Sequence, residues 1–297
     1  ESSSPMPYKS QNNILYKGKA TVENGVFSFS FVVPKDIAYN FGSGRISYYA
    51  VSNDSLMDAS GYDESFIIGG TATNILADNE GPDIELFINN EKFITGGMTN
   101  ENPLLFALLS DFSGINTVGN GIGHDIVAIL DEQTNQSISL NDYYSADTDS
   151  YQSGKVTYPF YDLAKGHHTL SLKVWDVFNN SSEKKIDFYV SDANEFSLSE
   201  LINYPNPFYG STGFYFEHNR AGDLLAIQLQ IFDLSGKVVA SIKENRFDDG
   251  YRVGPINWNG TTNSGAQLEA GIYIYRFNVT AEDGSSQTKA EKLIILR

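Results

Sequence analysis

Apolar side chains recur at every second position, Asn-, Asp- and Gly-rich clusters break those runs at short intervals, and no long stretch carries a convincing 3.6-residue period. Together these observations predict an all-β fold. Aromatic residues make up 13% of the 297 positions, which agrees, because aromatic and β-branched side chains suit a half-buried pleated surface.

The elements follow in chain order. Glu23-Asn24-Gly25 is a turn, and in Val26-Phe27-Ser28-Phe29-Ser30-Phe31 the three phenylalanines share one face and the serines the other. Ala77-Asp78-Asn79-Glu80-Gly81-Pro82-Asp83 is a polar breaker, after which Ile84-Glu85-Leu86-Phe87-Ile88 opens a strand. Gly119-Asn120-Gly121 reads as a second turn; with no Lys-Ser/Thr and no helix behind it, it is no phosphate cradle. Leu170-Ser171-Leu172-Lys173-Val174 and Ile186-Asp187-Phe188-Tyr189-Val190 are strands, and Ser191-Asp192-Ala193-Asn194-Glu195 is an acidic hinge. Ile227-Gln228-Leu229-Gln230-Ile231 repeats the alternation before the turn Asp248-Asp249-Gly250. Asn203-Tyr204-Pro205-Asn206-Pro207-Phe208 cannot be a ladder interior, since two prolines remove two donors; it is an extended strand entry or a stiff linker. The expected units are 1–77, 78–192 and 193–297. The second and third have the size of immunoglobulin-like β-sandwiches, about 100 residues each, so the sequence predicts tandem immunoglobulin-like domains. The first is short for a sandwich and reads as the β-rich end of a larger upstream domain.

Lys and Arg total 20 against 37 Asp and Glu, a net charge of −17. That field repels polyphosphate and anionic headgroups, which argues against nucleic-acid partners and electrostatic membrane docking. No apolar run approaches the ~18 residues of a membrane span, so direct membrane insertion is not expected. Glu1 to Tyr8 lack the basic and apolar regions of a signal peptide, as in a processed chain or a fragment. There is no cysteine, hence no disulfide, no thiolate metal site and no cysteine nucleophile.

Catalytic vocabulary is thin, and no catalytic residue is assigned. Of four histidines, His167 and His168 are strand neighbours that point to opposite faces and cannot chelate one ion together. His124 beside Asp125 could form a base–orienter pair, but no motif ties a nucleophile to it. Asp142, Asp147 and Asp149 offer carboxylate oxygens to Ca²⁺, the one cofactor the residues suggest. Their spacing departs from the helix–loop Ca²⁺ pattern, and a solvated acidic loop is the competing reading. Tyr143, Tyr144 and Tyr151 could stack on sugars if exposed.

Several blocks in the third unit carry a resemblance: Tyr204-Pro205-Asn206-Pro207-Phe208, Ile231-Phe232-Asp233-Leu234-Ser235-Gly236-Lys237-Val238-Val239, Trp258-Asn259-Gly260, Asn263-Ser264-Gly265, Ala270-Gly271-Ile272-Tyr273-Ile274-Tyr275-Arg276-Phe277 and Lys292-Leu293-Ile294-Ile295-Leu296-Arg297. In this order they resemble the C-terminal sorting domain of proteins exported by the Bacteroidetes type IX secretion system, in the variant akin to the immunoglobulin-like domain of the flagellar hook-capping protein. Asn259 stands where that family often has Asp. Upstream, Phe31-Val32-Val33-Pro34-Lys35-Asp36-Ile37, the turn Asp58-Ala59-Ser60-Gly61-Tyr62, Ile68-Gly69-Gly70-Thr71, Gly114-Ile115-Asn116-Thr117, Gly123-His124-Asp125-Ile126, Leu140-Asn141-Asp142-Tyr143-Tyr144 and Lys173-Val174-Trp175-Asp176-Val177-Phe178-Asn179-Asn180 are similar to the region after the peptidase domain in the PorU family of type IX sortases.

The resemblance implies a gingipain-like cysteine peptidase as parent, which removes sorting domains and transfers cargo to a lipopolysaccharide anchor. Its nucleophile would lie in a caspase-like domain outside these residues. This chain would then be a non-catalytic tether at the cell surface, retained on the outer membrane. The implied partners are the outer-membrane β-barrel protein PorV, other attachment-complex components and the upstream peptidase domain. An exposed sheet edge can extend into a partner's sheet. The candidate docking surface is the last hairpin: Gly271, Ile272, Tyr273, Ile274, Tyr275, Leu293, Ile294, Ile295 and Leu296. The competing reading is that these strands complete their own sheet. Two other functions stay open, the adhesive and sorting end of a secreted cargo protein and a Ca²⁺- or glycan-binding module.

Overall fold

The period-two runs fold as strands whose apolar face is buried. In a computed structural model that describes residues 14–35, 37, 41–72, 77–118, 123–191, 196–247 and 250–296, Leu170, Leu172 and Val174 are fully buried, as are Leu229 and Ile231, and Ile227 nearly so. The expectations for Glu1 to Tyr8, for Gly119 to Ile122, for Asp192 to Glu195 and for Asp248-Asp249 lie outside the described residues. Among the described residues no helix is long and apolar enough to cross a membrane.

The first part of the chain is a set of short ribbons. β1 (Gly42–Ser43) pairs with β4 (Ile67–Ile68), and β2 (Ile46–Val51) with β3 (Asp58–Asp63), all antiparallel, so Asp58–Tyr62 is a strand rather than the expected turn, drawn into a ladder by its pairing with residues 47–51. The predicted turn is present: Asn24 (φ 52°) and Gly25 (φ 80°) bring Glu23 and Val26 into reciprocal backbone hydrogen bonds of 2.9 and 3.0 Å. Residues 27–33 beyond it run without strand partners. Among the described residues before Ile84, the buried apolar side chains are those of Pro34 and Pro82, and no aliphatic or aromatic side chain is buried.

The next nine strands form a sandwich. They are β5 (Asp83–Ile88), β6 (Met98–Thr99), β7 (Leu104–Ser110), β8 (Val127–Leu130), β9 (Ile138–Ser139), β10 (Tyr144–Ala146), β11 (Ser153–Pro159), β12 (Gly166–Trp175) and β13 (Ser181–Val190). One sheet has the order β10-β11-β7-β5, the other β6-β13-β12-β8-β9. Their inner faces meet in one core that includes Ile88, Leu105, Leu109, Ile126, Leu140, Leu170 and Phe188.

A second sandwich follows from β14 (Leu198–Tyr204), β15 (Thr212–His218), β16 (Leu224–Phe232), β17 (Val238–Phe247), β18 (Arg252–Trp258), β19 (Gly271–Thr280) and β20 (Ser286–Ile295). Its sheets run β14-β15-β18 and β17-β16-β19-β20. A separate aromatic-rich core, with Phe208, Phe214, Phe216, Trp258, Tyr275 and Phe277, lies between them. The fold is thus all-β, with tandem immunoglobulin-like sandwiches. They meet where Glu217 of β15 accepts the Met98 backbone N–H (3.3 Å) and Ser197 Oγ lies 3.6 Å from Met98 Sδ.

Candidate functional site

The terminal hairpin divides its residues between two faces. Tyr273, Tyr275, Leu293 and Ile295 point into the core, and the Tyr273 hydroxyl donates to Glu269 O at 3.0 Å. Burial pushes the Tyr275 hydroxyl far above the ordinary tyrosine range, so it stays protonated. Ile272, Ile274 and Ile294 take the opposite face; Ile272 is 44% exposed and sits directly across from Ile294. Leu296 is also exposed and Gly271 pairs with Ile295. Of the nine predicted docking residues, the structure therefore spends four on the sandwich's own core and leaves an apolar cross-strand pair facing solvent.

β20 is the edge strand of its sheet, yet its last third is covered. Asn206 Nδ2 donates to Lys292 O (3.1 Å) and the Ile294 N–H donates to Asn206 Oδ1 (3.0 Å). Phe208 N–H then donates to Ile294 O (3.1 Å), and Leu296 N–H to Phe208 O (2.8 Å). The proline-rich entry thus acts as a clasp: a proline-interrupted segment cannot lend a full ladder, but Asn206 and Phe208 supply the N–H donors the prolines lack, along with acceptors of their own. Outward backbone groups of β20 alternate with a period of two, so those of Thr288 and Ala290 remain the open part of this edge.

Acidic residues meet elsewhere than predicted. Asp147 accepts from Ser153 Oγ (2.7 Å), and Asp149 accepts from Thr21 N and Oγ1 (2.7 and 2.6 Å). Asp142 lies in a short 3₁₀ turn (Asn141–Tyr143), and these three carboxylates do not converge. Asp78, Asp111 and Asp176 do: one carboxylate oxygen of each lies within 4.8 Å of the others. Asp78 precedes β5, Asp111 follows β7 and Asp176 follows β12, so one end of the sandwich gathers them. Asp176 is fully buried; its Oδ1 accepts from Phe178 N (2.9 Å) and Asn180 N (2.7 Å), and its Oδ2 from Asn180 Nδ2 (2.7 Å). Burial raises its pKa, with Asp111 adding to the effect against those hydrogen bonds. A hydrogen bond from Ser113 Oγ (2.6 Å) holds Asp78 below the usual carboxylate range. The donors are all oxygens, the chemistry hard divalent cations take. Sequence spacing could not reveal this trio, because three separate strand ends contribute it.

Three of the four histidines are placed by neighbouring side chains. His168 is buried, with Nδ1 2.8 Å from Asp131 Oδ2 and Nε2 2.6 Å from Ala164 O, and it stacks on Phe188. His167 faces outward, 3.3 Å from Asp187. The His124 ring packs against Trp175 with centroids 4.3 Å apart. Asp125 is raised by burial. Tyr144 is buried, and Tyr143 packs edge-on to Tyr158, so the tyrosines form no open stacking platform together.

Comparisons with known proteins agree with the sequence resemblance. Residues 208–285 match the FlgD Ig-like domain family. The chain is similar to dimeric latent PorU from Porphyromonas gingivalis, at 32% identity over 93% of this chain and 26% of that one, with a TM-score of 0.39. It therefore spans about a quarter of the length of the PorU chain it matches. The fibronectin(III)-like modules of Clostridium thermocellum CbhA match at 11% identity over 72% of this chain and 93% of theirs (TM-score 0.27). The BSP domain of a biofilm associated protein matches at 12% identity over 68% of this chain and 28% of its own (TM-score 0.27). No curated protein matches the chain. Identity to PorU across nearly the whole chain, with an FlgD-type Ig-like domain near its end, is the signature of a C-terminal region of a type IX secretion protein.

Proposed function

We propose that this chain is the non-catalytic C-terminal part of a type IX secretion sortase, and that it holds the peptidase at the outer face of the outer membrane by docking its last sandwich on a β-barrel partner of the PorV kind. The observation that carries the reading is the 32% identity to PorU along 93% of the chain. The physical means of docking is the outward apolar pair Ile272 and Ile294, on the solvent face of the sheet at the clasped end of β20. Buried Tyr273, Tyr275, Leu293 and Ile295 support that surface from beneath without touching a partner.

The test is co-purification of the tagged chain with the barrel. Ile272→Asp and Ile294→Asp place charges on the solvent face and leave the core intact, and each should weaken capture at least about tenfold, the loss expected when an apolar anchor is replaced by a charge. Capture undiminished in both variants, with unchanged thermal melts, would sink the docking surface.

A further inference from the structure

Residues 27–33 have the side-chain order of a strand without its ladder. Phe27, Phe29 and Phe31 project to one side as a continuous rung: Tyr16 stacks on Phe31 (centroids 4.7 Å, planes 5° apart), Phe31 lies 6.3 Å from Phe29, Phe29 6.4 Å from Phe27, and Phe27 5.5 Å from Tyr48. Yet no backbone N–H or C=O of residues 27–33 makes a hydrogen bond among the described residues. Phe27 and Phe29 remain 38% and 41% exposed.

Both ends of this segment are pinned to the first sandwich. At one end Lys19 bridges Thr148, Asp149 N–H donates to Lys19 O (2.9 Å), and Thr21 donates twice to Asp149. At the other, Lys35 N–H donates to Val177 O (3.0 Å). The strand is therefore held extended before any partner arrives, so pairing it costs less ordering entropy. The nearby β2–β3 ribbon exposes Tyr48, Tyr49, Val51 and Tyr62, and a two-stranded ribbon is marginal alone. The exposed aromatics thus lie on two elements, the 27–33 segment and the β2–β3 ribbon, joined by the Phe27–Tyr48 contact, and a sheet can pair with the first while covering the second.

We propose that residues 27–33 are one strand of a sheet whose remaining strands belong to the same polypeptide, upstream of residue 1, with the Phe27–Phe29–Phe31 rung packed beneath that sheet. This rests on reading the chain as part of a longer sortase: the matched PorU chain is about four times the aligned length. A covalently joined partner acts at millimolar effective concentration, enough to hold a short strand that a separate molecule would not.

Amide hydrogen exchange on this chain and on the longer polypeptide decides the matter. In the isolated chain, amides 27–33 should exchange near the rate of unstructured peptide, while β7 and β16 are protected. In the longer polypeptide, protection of 27–33 should rise at least about a hundredfold, and Phe29→Asp should abolish that rise without altering β7 or β16. Three results would each overturn the proposal: protection already present in the dilute isolated chain, protection there that grows with concentration (a second copy), or none in the longer polypeptide. Capture by the β-barrel uses the other end of the molecule, so its loss or retention leaves this result unaffected.

Discussion

Glu217 and Met98 join the two sandwiches: the Glu217 carboxylate, 4% exposed, accepts the Met98 N–H at 3.3 Å, with Arg252 4.0 Å from its other oxygen. Burial raises the Glu217 pKa, opposed by the Met98 hydrogen bond and Arg252, while Glu200 adds to the rise. A carboxyl whose folded pKa is raised binds its proton more tightly when folded. This group's contribution to stability is therefore fully present in acid and is lost as pH rises through the window just above the ordinary glutamate value of about 4.3. Glu217→Gln removes this titration. Urea melts at pH 7.5, 6 and 5 should show the variant gaining on, or matching, the wild type at neutral pH and losing ground as the solution is acidified.

Asn206→Ala deletes both side-chain bonds of the clasp, to Lys292 O and from Ile294 N. The site is exposed, so water replaces part of the loss, and destabilisation should be about 0.5–1.5 kcal/mol. Hydrogen exchange at Ile294 should accelerate while that at Tyr275 is unchanged.

Phe208→Ala acts on the core instead. Phe208 is 1% exposed and packs edge-on to Trp258 at 6.0 Å. A loss of about 3–5 kcal/mol is expected, read as a fall in the denaturation midpoint and a changed Trp emission.

Asp111→Asn relieves the charge that helps raise Asp176 while keeping an oxygen for Ser113 and Gly114. In chelator-containing buffer at neutral pH, the variant should be more stable by about 0.5–1 kcal/mol. The gain should vanish as Asp176 takes up its proton, in the window just above the ordinary aspartate value of about 3.9. An equal gain at pH 7 and pH 3 would contradict this.

How far the sequence could be read depended on the range of the interaction. Leu170-Ser171-Leu172 and Ile227-Gln228-Leu229 show their faces locally, and both orient as their alternation says. Phe27, Phe29 and Phe31 also share a face, but alternation fixes only the direction of side chains; whether a ladder forms depends on a neighbour the local pattern does not name. The Tyr204–Phe208 segment read as a linker or strand entry because its prolines exclude a ladder; its role as a clasp depends on Ile294 and Leu296, far away in sequence. The Asp78, Asp111 and Asp176 trio was hidden for the same reason, since each residue alone sits in an ordinary turn.

The clasp also imposes a schedule on folding. Asn206 and Phe208 wait for residues 292–296, so the segment after β14 meets the last strand of this sandwich only after everything between them has been made. Until then Trp258, Tyr275 and Phe277 lack their full covering, so a chain interrupted before residue 292 would leave this aromatic core open to solvent.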